Sequence, residues 1–292
     1  MTWLQINFDL TRDTVEAYED ALIELGALSV TLQDNEDEPV LEPGLGETPL
    51  WTATRLTALF TADIDSKAVL DTLESHLGTL AAHRVEILED KDWIREWMDS
   101  YEPIQISPRL WVCPTWKEPV DAQAVNLLLD PGLAFGTGTH PTTYLCLEWL
   151  SDQTFRGESV LDYGCGSGIL AITAQLLGAG PADGVDIDPQ ALIATEANAK
   201  TNGLEQGNIQ VYLPEDAPKK AYDVTIANIL AGPLAELAPT LIDSTKIGGK
   251  IVLSGLLAEQ AGAVASAYGQ HIQWADPTVK DGWARLDGIR IT

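Results

Sequence analysis

Asp162, Gly164, Gly166 and Gly168 recur at alternate positions in VLDYGCGSGIL, and a second acid, Asp186, stands 22 residues after the first of these glycines. Apolar Val160 and Leu161 lead into the turn, and Ile169 to Leu177 continues it at helical spacing. Glycine at such a turn permits positive φ and lets a ligand approach the backbone. The helix behind it aims free N–H groups at whatever lies over the turn. GVDIDP then reads as a second strand, Gly184 to Asp188, with an acid able to accept hydrogen bonds from ribose hydroxyls. Pro189 fits the first position of the next helix, capped by Asp188. Strand, glycine turn, helix and acid together describe a nucleoside site.

The dinucleotide fingerprint requires a third glycine where this chain has Ile169. The spacing G-x-G-x-G, with Asp162 ahead of it, instead resembles motif I of the S-adenosylmethionine-dependent methyltransferases built on a Rossmann-like sheet. In those enzymes the glycines pass under the methionine end of the cofactor and the later acid holds the ribose.

The elements that must position these residues follow from periodicity. Beyond the motif, helices are expected over Gln190 to Asn202, Leu230 to Asp243 and Ala258 to Tyr268. Strands are expected at Ile209 to Leu213, Tyr222 to Ala227 and Lys250 to Ser254, with a closing hairpin of Ile272 to Ala275 and Ala284 to Ile291 around Asp281 and Gly282. Strands alternating with helices give a mostly parallel sheet that binds ligands at the carboxyl ends of its strands. Gly164, Asp186 and Asn228 all fall at such ends. Asn228 could be a plain turn residue. In amine methyltransferases the matching position carries an acid or amide whose oxygen faces the nucleophile, and alignment of the amine supplies most of the catalysis.

Ahead of this sheet, Leu110 to Cys113 and Val125 to Leu129 are apolar strands. Between them and the motif lies DPGLAFGTGTHPTT, too rich in Gly, Thr and Pro for a regular element, yet carrying Phe135 and His140. His140, before Pro141, reads equally well as a cap or turn residue. Residues 1–90 alternate as β-α-β-β-α-β, a small ferredoxin-like α+β domain. Residues 91–103, KDWIREWMDSYEP, form an expected helical connector with an aromatic stripe at Trp93, Trp97 and Tyr101, and residues 104–292 form the catalytic domain.

Composition narrows the function further. The formal charge is −27, which disfavours nucleic acid and anionic membranes and favours a basic partner. Residues 1–90 hold 19 Asp and Glu against 4 Lys and Arg, so this part is expected to dock the partner. No apolar run reaches the ~18 residues of a membrane span. The N-terminus lacks a secretory pattern, and Cys113, Cys146 and Cys165 are scattered. A cytoplasmic, metal-free protein is expected, and nothing demands more than a monomer.

DPGLAFGTGTHPTT, VLDYGCGSGILAI, GVDIDP and ANILAGPL, in this order and spacing, resemble the ribosomal protein L11 methyltransferases over nearly the whole chain. The resemblance implies S-adenosylmethionine as cofactor, held by Thr143, Gly164, Gly166, Asp186 and Asn228, with Phe135 and Thr137 on a loop that closes over its methionine end. It implies Asn228 as the catalytic residue. It further implies methylation of lysine side chains and the α-amine of ribosomal protein L11, recognised by the N-terminal domain. The competing readings are a methyltransferase of another basic protein, a nicotinamide oxidoreductase on the same sheet, and a non-enzymatic binding module.

Overall fold

Alternation in WLQINFDLT turns Leu4, Ile6, Phe8 and Leu10 to one face of the first strand, β1 (Trp3–Thr11), and all four are buried. The structure, a computed structural model, describes residues 2–36, 38, 49–88, 102–130, 138–205 and 207–292. Phe135, Thr137 and the connector up to Tyr101 lie outside the described residues. The chain divides into two compact units, Met1–Met98 and Asp99–Thr292.

In the first unit, β1 is followed by β2 (Ser29–Asp34), β3 (Ala53–Thr61) and β4 (His83–Leu88) in an antiparallel sheet of spatial order β2-β3-β1-β4. Helices Arg12–Glu24 and Ser66–Leu77 follow β1 and β3. Their stripes, Val15, Tyr18 and Leu22 on one and Val69 and Leu73 on the other, close over the inner face of the sheet. Asp65 caps the second helix by accepting from the Lys67 and Ala68 amides.

In the second unit, β5 (Ile104–Ser107), β6 (Leu110–Cys113) and β7 (Val125–Leu128) form a small sheet. Periodicity does not separate β5, because its four residues IQIS are too few to establish a pattern. The large sheet contains β8 (Val160–Tyr163), β9 (Ala182–Val185), β10 (Ile209–Tyr212), β11 (Tyr222–Asn228), β12 (Thr245–Leu257), β13 (Ile272–Trp274), β14 (Thr278–Lys280) and β15 (Trp283–Arg290). Its order is β10-β9-β8-β11-β12-β15-β13, with β14 also on β15. The strands from β10 to β12 pair in parallel, while β15 runs antiparallel to its neighbours. Two apolar layers cover the two faces, so the fold is α/β with a mostly parallel sheet.

Several expectations need correcting. The single helix over Leu230 to Asp243 is two, Ala231–Glu236 and Ala238–Asp243, because Pro239 has no N–H to continue the first. The turn at Asp281 and Gly282, with φ of 49° and 80°, joins β15 to β14 rather than to β13. β12 runs well beyond Lys250 to Ser254 and starts at Thr245, with a register shift against β11 between Tyr222 and Val224. β9 ends at Val185, which leaves Asp186 just past the strand rather than within it.

Candidate active site

β8, β9 and β11 are neighbours in the sheet, so their carboxyl ends bring Gly164, Asp186 and Asn228 to one edge. The glycine turn leaves β8 with Gly164, Gly166 and Gly168 at φ of 81°, 54° and 78°, values an L side chain rarely adopts. Gly168 is the N-cap of helix Ile169–Leu176.

Three side chains hold the turn. The Gly166 amide donates to Asp186 Oδ2 at 2.9 Å, and the Asp188 amide donates to Asp186 Oδ1 at 3.0 Å. Asp186 therefore braces the turn as well as standing at the expected ribose position. From helix Pro189–Thr201, Thr195 donates its hydroxyl to Gly166 O at 3.1 Å and Asn198 donates its side-chain amide to Ser167 O at 2.8 Å. Sequence reasoning passed over both residues. The available signal was two polar side chains three apart on a helix face turned toward the sheet. Asp188 caps this helix through the Gln190 amide, as its position before Pro189 predicts.

Beneath the turn, Asp162 is fully buried. Its Oδ2 accepts from the Ala171 amide at 3.1 Å, and its Oδ1 has no partner among the described residues. Burial raises this carboxyl to about 7, against the opposing effect of the Ala171 hydrogen bond. Cys165 and Cys146 are pushed up to about 12, chiefly by burial, and are inert thiols.

On the other side of β8, Asn228 ends β11. Its Nδ2 donates to Thr143 Oγ1 at 3.2 Å, and its Oδ1 is buried without a partner among the described residues. Thr143 lies in the first turn of helix Pro141–Asp152, with Pro141 at its start. His140 caps that helix: its Nδ1 accepts from the Thr142 amide, and its ring meets Trp283 edge-on at 4.8 Å between centroids. Burial lowers the His140 pKa below the usual histidine value, so the ring is neutral at physiological pH. Arg285, itself buried, ties the same helix to β15 by donating to Leu145 O at 2.9 Å while pairing with Asp287 at 3.0 Å.

These residues fit S-adenosylmethionine. Asn228 Oδ1, buried without a partner among the described residues, could accept from a ligand amine or hydroxyl, and Gly164, Gly166 and Gly168 hold the positive φ values that the turn requires. Among the described residues, no group of three His, Cys, Asp or Glu side chains is arranged to hold a metal ion.

Comparison with known proteins identifies the family. The model of the ribosomal protein L11 methyltransferase (PrmA) family matches residues 2–290. The chain belongs to this family. The ribosomal protein L11 methyltransferase of Saccharophagus degradans is 53% identical over 291 residues, covering 99% of this chain and 100% of that one. That of Azotobacter vinelandii is 55% identical over 295 residues, with coverage of 99% and 100%. Among solved structures, the ribosomal protein L11 methylase of Lactobacillus delbrueckii subsp. bulgaricus is 32% identical with a TM-score of 0.60, covering 66% of this chain and all of that one. Family membership makes the chain an S-adenosylmethionine-dependent methyltransferase and excludes the oxidoreductase and binding-module readings.

Proposed function

We propose that this chain methylates amino groups of ribosomal protein L11, both lysine side chains and the N-terminal α-amine, with Asn228 aligning the amine. One observation carries the reading: the Asn228 amide is anchored through its Nδ2 to Thr143, while its buried Oδ1 is left to accept from another donor beside the glycine turn.

Bound over that turn, S-adenosylmethionine supplies an electrophilic sulfonium methyl. Gly164 and Gly166 would lie under its methionine end, Asp186 would accept from the ribose, and Thr143 and Asn228 would close the methyl side. Phe135 and Thr137 are assigned to the covering loop on the resemblance alone. Asn228 Oδ1, with a neighbouring backbone carbonyl, accepts the two N–H bonds of a neutral amine and so directs its lone pair toward the methyl. A free lysine ammonium has a pKa near ~10.4, so it must lose its proton before it docks, and burial favours the neutral form. Transfer of the sulfonium methyl to that lone pair would release the cofactor as a neutral thioether, and the methylated amine would give up its proton to water.

Residues 1–90, read as a ferredoxin-like recognition domain, dock the basic substrate through their excess of acid. Residues 91–103 serve as connector and 104–292 as catalytic domain. The protein acts in the cytoplasm as a monomer, without sequence-specific nucleic acid contact. No helix among the described residues is long and apolar enough to cross a membrane.

The test is mass spectrometry of purified ribosomal protein L11 after incubation with this chain and S-adenosylmethionine. Mass gains of one methylene each, mapped to lysines or the N-terminus, are expected. No gain, with cofactor binding still seen by calorimetry, would overturn the substrate and return the choice to another basic protein.

A further inference from the structure

The residue after Asn228 is gripped by two glycines, one just past β8 and one inside β12. A Cβ placed on Gly164, just past β8, would lie 2.2 Å from Ile229 Cγ2. A Cβ on Gly255, inside β12, would lie 2.3 Å from Ile229 O and 2.7 and 2.9 Å from its C and N. Both distances are far inside ordinary packing, so the side chain of Ile229 sits on one glycine Cα and its backbone on the other. Gly255, at φ 88°, falls where the β12–β15 register shifts between Leu253 and Leu256. The shift turns a bare Cα toward the chain leaving β11. Ile229 also packs against the apolar layer that contains Ala227, Leu253 and Leu256.

The arrangement joins the glycine turn, β11 and β12 at a single residue. Ile229 is β-branched, so its χ1 is stiff and the position of Cγ2 over Gly164 is well defined. The peptide between Asn228 and Ile229 is therefore fixed at one end by β11 and at the other by this double contact. We propose that Ile229 is a positioning residue, seated on Gly164 and Gly255, that sets the Asn228 amide relative to the glycine turn. The proposal rests on the reading of Asn228 as the group that aligns the amine. Misplacement of an aligning group by about 1 Å can cost on the order of 100-fold in rate.

Three substitutions in the full-length protein test it. Ile229→Val keeps both γ carbons, whereas Ile229→Leu keeps the volume but removes Cγ2 from Gly164, and Ile229→Ala removes the contact altogether. With ribosomal protein L11 and cofactor both saturating, kcat is expected to fall about tenfold in Leu and more in Ala, and to recover in Val. The KM for L11 and the cofactor Kd should stay within about threefold of the parent. The Asn228 side-chain amide resonance in cofactor-free protein, assigned by its loss in Asn228→Ala, should move in Leu and stay in place in Val. In an Asn228→Ala background, Ile229→Leu should cost nothing further. Parent-like turnover in Ile229→Leu, or losses that multiply in the double variant, would overturn the positioning role. Should Asn228→Ala itself keep full turnover, the aligning role of Asn228 fails instead, and the amide resonance alone then decides whether Ile229 sets its position.

Discussion

Asn228 and Thr143 meet across 3.2 Å, amide nitrogen to hydroxyl oxygen, although they are 85 residues apart in the chain. The contact links the end of β11 to the first turn of helix Pro141–Asp152 and fixes which way the amide faces. With Nδ2 committed to Thr143, the carbonyl oxygen is the end that remains for a substrate. Asn228→Ala should lower turnover by roughly 100- to 1,000-fold, the ~2.7–4 kcal/mol of an oriented polar contact. Single-turnover methylation at saturating cofactor measures this directly, and an unchanged rate would remove Asn228 from the chemistry.

Thr143→Val keeps the shape of Thr143 and deletes the acceptor. Asn228 Nδ2 then loses its partner in a part-buried setting, at up to about 1–3 kcal/mol, and the amide is free to turn. A drop in kcat of roughly tenfold is expected, smaller than that of Asn228→Ala. A loss confined to cofactor affinity would show instead that Thr143 contacts the cofactor without orienting the amide.

Asp186 serves two backbone amides, those of Gly166 and Asp188. Asp186→Ala should weaken cofactor binding by roughly 10- to 100-fold, since hydrogen bonds to a charged group are worth ~1.5–3 kcal/mol. Asp186→Asn keeps one oxygen acceptor and should fall between the two. Calorimetric titration decides, and an unaltered Kd in Asp186→Ala would refute the ribose assignment.

Asp162 makes stability depend on pH. Unfolded, its carboxyl ionises near ~3.9, whereas folded it is raised to about 7. Between those values the folded state holds a proton that the unfolded state has released, so stability falls as pH rises through the window and levels off above it. Asp162→Asn removes this dependence. Its thermal midpoint relative to the parent should therefore climb between about pH 4 and about pH 8, by an amount equivalent to at most about 4 kcal/mol. Melting curves of cofactor-free protein across that range provide the check, and a constant offset would mean that Asp162 ionises normally.

A surface of charge −27, with acid concentrated in residues 1–90, should draw in a basic protein at a salt-dependent rate. The KM for ribosomal protein L11 is expected to rise several-fold between low and physiological ionic strength, while cofactor Kd changes little. Equal salt responses of the two constants would argue against electrostatic docking.

Local chemistry made the glycine turn, the Asp188 cap, the acid-rich N-terminal stretch and the strand–helix alternation legible in the sequence, while the role of His140 stayed open. Each depends on residues within a turn or two of one another, where backbone sterics and hydrogen bonding decide the outcome. The three strand ends that converge on the site could also be foreseen, because a parallel sheet with helical crossovers has only one edge at which such ends gather. Which way the Asn228 amide faces, the burial of Asp162 with one oxygen unmatched, the support of the turn by Thr195 and Asn198, and the grip of Gly164 and Gly255 on Ile229 were settled only by the tertiary structure. These relationships join residues tens of positions apart, and their geometry comes from sheet order and from register shifts such as the one at Gly255. Periodicity within one element carries no information about the register of another, so the motif located the site and the packing of separate strands set its polarity.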